Sequence, residues 1–171
     1  MKPYLKRTLG TLIATTAALV SVVASSSSAS AASSTWTNVN SNKCLEIRGD
    51  STADGADANQ WECNGSPTQA WTWVDVGTSP WGEPLRYMQN GNSGKCLEIR
   101  GDSTADGAAA NQWECNGSPT QMWIVYHTIN GRFNLINYNS RKCLEIRGDS
   151  TDDGAAANQW ECNGSPTQLW R

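Results

Sequence analysis

The sequence predicts an all-β protein in which three four-stranded repeats close on one another, with one disulfide in each repeat. Three observations carry this expectation. The stretch at 43–71, KCLEIRGDSTADGADANQWECNGSPTQAW, returns without a gap at 95–123 and 142–170. Only three columns differ between copies: Ala53, Ala105, Asp152; then Asp57, Ala109, Ala156; then Ala70, Met122, Leu169. Repeats of roughly 50 residues are supersecondary units too small to bury an apolar face alone, so the copies must share one core. The apolar segments are short, bounded by turn residues and without helical period, which marks them as strands. The six cysteines fall in matching places in the three copies.

Residues 1–32 read as a secretory leader. Lys2, Lys6 and Arg7 come first, an apolar run follows at 9–24, and Ala29-Ser30-Ala31 supplies a small-residue cleavage pattern, with cleavage after Ala31 or Ala32. The run is shorter than the ~20 residues of a membrane span and is broken by Thr11, Thr15, Thr16 and Ser21. The expected location is therefore extracellular, with 33–171 as one domain and repeats at about 35–79, 80–129 and 130–171. The formal net charge is −3, and the leader holds basic residues but no acid, so the remainder is more acidic still. No basic run is left outside the leader, which argues against nucleic acid or an anionic membrane as partner.

Each copy opens with a short apolar segment (36–40, 85–89, 133–137) and an Asn, Ser and Gly turn before KCLEIR. Strand alternation puts Leu45 and Ile47 on one face, and Cys44, Glu46 and Arg48 on the other. GDSTADGA is turn chemistry. In ANQWEC, counting by twos groups Asn59, Trp61 and Cys63 against Ala58, Gln60 and Glu62. A second turn, NGSP, leads to a last strand carrying Gln69 and Trp71. Residues 75–84 read as a linker to the second repeat and 128–132 as a tighter turn to the third. The third copy's last strand, at Trp170-Arg171, is short and closes against the opening segment near Trp36. Three such units make a closed body with no long open edge.

Cysteines in an exported chain favour disulfides. Equal spacing in every copy selects Cys44 with Cys63, Cys96 with Cys115 and Cys143 with Cys162, each loop contributing roughly 3 kcal/mol by restricting the unfolded chain. Such a bond turns the cysteine-bearing faces together and gathers Glu46, Asn59 and Trp61 on one surface. Nine Trp against one Phe is a heavy aromatic bias. Trp71, Trp123 and Trp170 are expected in the core, and Trp61 either stacks on a ligand or covers the disulfide.

Other chemistries find less support. Zinc would have to be held with His127 as the lone histidine and no C-x-x-C pair, so no metal site is expected. Asp50, Thr52, Asp54 and Gly55 resemble the start of a calcium loop, but Trp61 stands where a bidentate Glu belongs. Arg48-Gly49-Asp50 leaves a strand for a turn, and the Asn64-Gly65-Ser66 sequon is followed by Pro67. Catalysis calls for one cleft with two carboxylates in unlike settings, whereas the carboxylates of the copies are repeated, Asp57 and Asp152 apart, and Asp75 and Glu83 sit in the linker. No enzyme activity and no cofactor are expected.

The run Cys-Leu-Glu-Ile, the return to Trp-Glu-Cys, and Gln-x-Trp at Gln69, Gln121 and Gln168 resemble the ricin B-type lectins, a family of carbohydrate-binding β-trefoil modules, over nearly the whole chain beyond the leader. The resemblance implies a β-trefoil with up to three shallow sugar pockets. In each, an acid after Cys-Leu takes hydroxyl hydrogen bonds and an aromatic two before the second Cys stacks on the sugar. The pockets it implies use Glu46, Asn59, Trp61, Asn64 and Gln69; Glu98, Asn111, Trp113, Asn116 and Gln121; and Glu145, Asn158, Trp160, Asn163 and Gln168. A pyranose suits them, with an apolar C–H face for indole and a hydroxyl rim for carboxylate and amide.

Three departures from the usual family pattern recur in all copies: Glu46 for Asp, Thr68 for Asn, and Gln60 for an apolar residue. An inward amide at Gln60, Gln112 and Gln159 requires partners. Either the three glutamines bond one another near the pseudo-axis, or that strand is irregular. The expected partner is a glycan or polysaccharide, with galactosides and xylan both family habits, bound by a monomer without membrane insertion. The competing reading is a protein-binding trefoil, such as a secreted inhibitor, acting through the loop around Trp81.

Overall fold

The structure is a computed structural model that describes residues 32–128 and 130–171. The expected leader lies, apart from residue 32, outside the described residues. The first repeat holds β1 (Cys44–Ile47), β2 (Ala58–Trp61) and β3 (Trp71–Thr78). The second holds β4 (Pro84–Asn90), β5 (Cys96–Ile99), β6 (Ala110–Trp113) and β7 (Trp123–His127). The third holds β8 (Phe133–Asn137), β9 (Cys143–Ile146) and β10 (Ala157–Trp160). The two strands missing from a count of four per repeat are reduced to bridges. Thr37 pairs with Cys44, and Trp170 pairs with both Asn38 and Phe133. The body closes where Arg171 N–H donates to Thr37 O at 3.0 Å and Thr37 N–H to Arg171 O at 2.9 Å.

Each repeat forms the same antiparallel hairpin. In the first, Cys44 faces Trp61, Leu45 faces Gln60, Glu46 faces Asn59 and Ile47 faces Ala58; the other two repeat this register. The disulfides join Cys44 to Cys63, Cys96 to Cys115 and Cys143 to Cys162, one per repeat at a sequence separation of 19. Leu45, Ile47, Ala58 and Trp71 enter one shared core with their counterparts. The indole N–H groups of Trp71, Trp123 and Trp170 donate to Leu45 O, Leu97 O and Leu144 O at 2.9, 2.9 and 3.1 Å, so each buried ring keeps its polar atom satisfied. This is why three tryptophans fit a core no single repeat could make.

The structure corrects three local expectations. Residues 75–84 are not a free linker: Trp71–Thr78 and Pro84–Asn90 form one long hairpin with a register shift between Asp75 and Gly77, and only 79–83 form its tip. The ladder is regular from Trp71 to Asp75 and resumes at Gly77 and Thr78. Gln69 is not in a strand, because Pro67–Gln69 is a 3-10 turn with Pro at its start and Ser66 capping it, the Ser66 Oγ accepting from Thr68 N–H at 3.3 Å. The inward glutamines do not bond one another, and their strand is regular. Gln60 accepts from Ser41 Oγ at 2.6 Å and donates to the carbonyls of Ser150 and Asp152 in the third repeat, both at 3.0 Å. Gln112 and Gln159 reach the first and second repeats in the same way. Satisfied by backbone, these amides lace the repeats in a ring around the pseudo-axis, where the N-terminal ends of β2, β6 and β10 are bridged to one another.

Candidate functional site

The register that sets Glu46 opposite Asn59 also sets the two beside Trp61, on the face away from the core. The chain leaves β2 after Trp61, and the bond of Cys63 to Cys44 holds the segment that follows against β1. Glu46, Asn59, Trp61 and Asn64 line one hollow of about 570 Å³. Glu98, Asn111, Trp113 and Asn116 line a second of about 540 Å³, and Glu145, Asn158, Trp160 and Asn163 a third of about 500 Å³. These volumes fall in the range of small-molecule sites, and all three hollows open to solvent.

Gln69, Gln121 and Gln168 lie beneath the hollows, fully buried. Gln69 donates from Nε2 to Glu46 Oε2 at 3.1 Å and to Glu62 O at 2.8 Å, and its Oε1 accepts from Asn64 N–H at 3.0 Å. Its part is to fix the carboxylate and the loop above it. Asn59 Nδ2 donates to the other carboxylate oxygen at 3.3 Å. Glu46, only 8% exposed, thus offers a carboxylate whose direction is set by two amides. Within the described residues, Asn59 Oδ1 is buried and without a partner, as are Asn111 Oδ1 and Asn158 Oδ1. The same unmet acceptor thus lies buried beneath the surface of each hollow. Burial is also the largest influence on Glu145, raising its pKa above the ordinary carboxylate range against hydrogen bonds from Gln168 and Asn158 that lower it.

The indoles of Trp61, Trp113 and Trp160 are each 42% exposed. Thr68 is buried and shares a hydrogen bond with Ser66 Oγ at 2.8 Å, so the side chain standing for the family's usual Asn keeps a local partner. The sequence did not single out Arg48, Asp50, Ser66 or Asp153 as site residues, yet all four line the first hollow. Alternation had already put Arg48 on the Glu46 face; Asp153 belongs to another repeat, and no spacing within one copy could reveal it.

Outside the hollows, Trp81 is 73% exposed at the hairpin tip. Arg141 sits over its ring at 5.5 Å and makes a two-pronged ion pair with Glu83 at 2.8 and 2.7 Å. His127 packs edge-on against Phe133 with centroids 4.7 Å apart. Among the described residues no cluster of three or more His, Cys, Asp or Glu is placed to hold a metal, and no helix is long and apolar enough to cross a membrane.

The family model for the ricin-type β-trefoil lectin domain matches residues 32–170. Among solved structures, the designed threefold-symmetric protein ThreeFoil is 31% identical, with a TM-score of 0.76 over 80% of this chain and 94% of that one. The exo-β-1,3-galactanase 1,3Gal43A from Clostridium thermocellum is 30% identical with a TM-score of 0.77, matching 82% of this chain but 29% of its own length. The C-half of the earthworm R-type lectin, solved in complex with GalNAc, shares the fold at 17% identity and a TM-score of 0.60, with 82% and 96% covered. A comparison with curated proteins finds no match.

Proposed function

Because the chain belongs to the ricin-type β-trefoil lectin family, we propose that it is a secreted carbohydrate-binding protein that holds glycans in up to three equivalent hollows and does not alter them. One observation carries the reading. In every repeat a half-exposed indole stands beside an oriented carboxylate and an unpartnered amide oxygen. A sugar answers the first two, with a C–H face for the ring and hydroxyl donors for the carboxylate. The name of one solved relative, an exo-β-1,3-galactanase, favours galactose-type sugars over xylan. Two of the three carboxylates lining the first hollow are already engaged, Glu46 by amides and Asp153 by Lys43, which favours binding over chemistry. A single shallow pocket of this kind holds its sugar at around millimolar, about 4 kcal/mol. Three on one rigid monomer gain about 10²-fold on a polymer through effective concentration.

A second reading has one observation behind it. The ordered, exposed Trp81 on an unrepeated hairpin suits contact with another protein. A glycan array with the oxidised protein separates the two. Replacing Trp61, Trp113 and Trp160 together by Ala abolishes glycan retention if the hollows are the sites, and Trp81→Ala leaves it intact. A protein that retains no glycan on the array, or whose triple variant binds as well as wild type, refutes the first reading.

A further inference from the structure

The stacking ring of each repeat is held from outside that repeat. Trp61 is the last paired residue of β2, so its downstream backbone leaves the ladder. On its upstream side Gly154 N–H donates to Gln60 O at 2.8 Å, and on its downstream side Glu62 N–H donates to Asp153 Oδ1 at 2.8 Å. Two consecutive residues of the third repeat therefore bracket Trp61. Gly154 also stands against the indole: a Cβ built there would lie 3.7 Å from Trp61 Cζ3. Its φ of +79° is one that L side chains rarely adopt. Lys43 Nζ pairs with Asp153 Oδ1 at 2.6 Å, and Arg48 Nη2 donates to Gly154 O at 2.6 Å, so the bracket is itself fastened from the first repeat.

The same bracket recurs around the ring of repeats. Asp54 Oδ1 accepts from Glu114 N–H at 2.9 Å while Gly55 N–H donates to Gln112 O at 2.8 Å, enclosing Trp113. Asp106 Oδ1 accepts from Glu161 N–H at 2.8 Å while Gly107 N–H donates to Gln159 O at 2.8 Å, enclosing Trp160. The column just before these Asp-Gly pairs varies between copies, whereas the pairs themselves do not.

We propose that Asp153, Asp54 and Asp106 are positioning residues that act in trans, each with its following glycine fixing the stacking tryptophan of the adjacent repeat. Every hollow is then completed by a neighbouring copy. The physical reason is preorganisation: a half-exposed ring at a strand end must otherwise be ordered by the ligand, at the expense of affinity. The inference rests on the sugar-binding reading above, so its test includes a readout that needs no sugar.

The experiment uses the full oxidised protein labelled with 5-fluorotryptophan, its resonances assigned by single Trp→Phe changes. Asp153→Ala is expected to move and broaden the Trp61 resonance, Asp54→Ala that of Trp113, and Asp106→Ala that of Trp160. In a Trp113→Ala/Trp160→Ala background, which leaves the Trp61 hollow alone, β-1,3-galactobiose binding should weaken about fivefold with Asp153→Ala, the loss of one ordering hydrogen bond. Asp54→Ala and Asp106→Ala, chemically identical and equally destabilising, should not weaken it. Lys43→Met and Asp153→Asn, which both keep an acceptor for Glu62 N–H, should retain most of the affinity. Perturbation of the tryptophan in the substituted repeat itself, or of all three rings alike, overturns the proposal, as does equal weakening by all three alanine variants. Absence of galactobiose binding by the unsubstituted protein counts against the sugar reading, and the fluorine spectra still decide this one.

Discussion

Gln69→Leu removes an amide of nearly the same volume from a fully buried place and strands three groups at once. Glu46 Oε2 loses the donor at 3.1 Å, Glu62 O the donor at 2.8 Å, and Asn64 N–H its acceptor at 3.0 Å. The bond to the carboxylate is the charged one, at about 2 kcal/mol, and the two neutral bonds add about 1 kcal/mol each, so the expected destabilisation is about 4 kcal/mol. That is a large share of the roughly 5–15 kcal/mol that holds a domain together. Urea unfolding of the oxidised protein, followed by tryptophan fluorescence, reads it as a lower midpoint at unchanged slope. Gln121→Leu and Gln168→Leu should match it to within about 0.5 kcal/mol, because their bonds have nearly the same lengths. A double-mutant cycle with Glu46→Gln should give a coupling of about 1–2 kcal/mol. A loss under about 1 kcal/mol, or full additivity in the cycle, refutes the account of Gln69 as the support of the carboxylate.

Replacing Cys44 and Cys63 by Ala should cost about 3 kcal/mol and also loosen the Trp61 hollow, measured by denaturant midpoint and by glycan retention. Hydrogen bonds from Lys95, Lys142 and Lys43 hold the pKa values of Asp54, Asp106 and Asp153 below the ordinary 3.8. Their contribution is present above that value and lost as pH falls through the lowered ones, so unfolding midpoints should drop in acid, and less steeply in a Lys43→Met/Lys95→Met/Lys142→Met variant. Glu145 has the opposite sign: its raised pKa contributes stability that is full below 4.5 and lost as pH rises through the raised value, and Glu145→Gln should remove that part of the profile. Glu83→Gln should weaken the clamp on Arg141 and speed hydrogen exchange at the Gly82 amide, which donates to Ser79 O at 2.9 Å, by about threefold or more.

The parts legible in the sequence were those governed by local spacing. Equal cysteine spacing selected the pairing, and alternation in CLEI and ANQW placed Leu45 and Ile47 inward and set Glu46 beside Trp61. What stayed hidden depends on chain segments far apart. The acceptors that Gln60 Nε2 meets are backbone carbonyls in the third repeat, and carbonyls have no letter in a sequence. Gln69 lies in the turn that Pro67 imposes, so counting by twos could not say which way it points. The hairpin tip at 79–83 reads as a linker because Ser79, Gly82 and Pro84 are turn residues; the clamp by Arg141 crosses from another repeat.

The circular lacing of the copies bears on how such a gene can change. A substitution at Asp153 or Gly154 is felt first next door, where it disturbs the surroundings of Trp61, and the same holds at the other two junctions. No copy is a spare that can drift in private. A lesion at any one junction is thus spread over two copies.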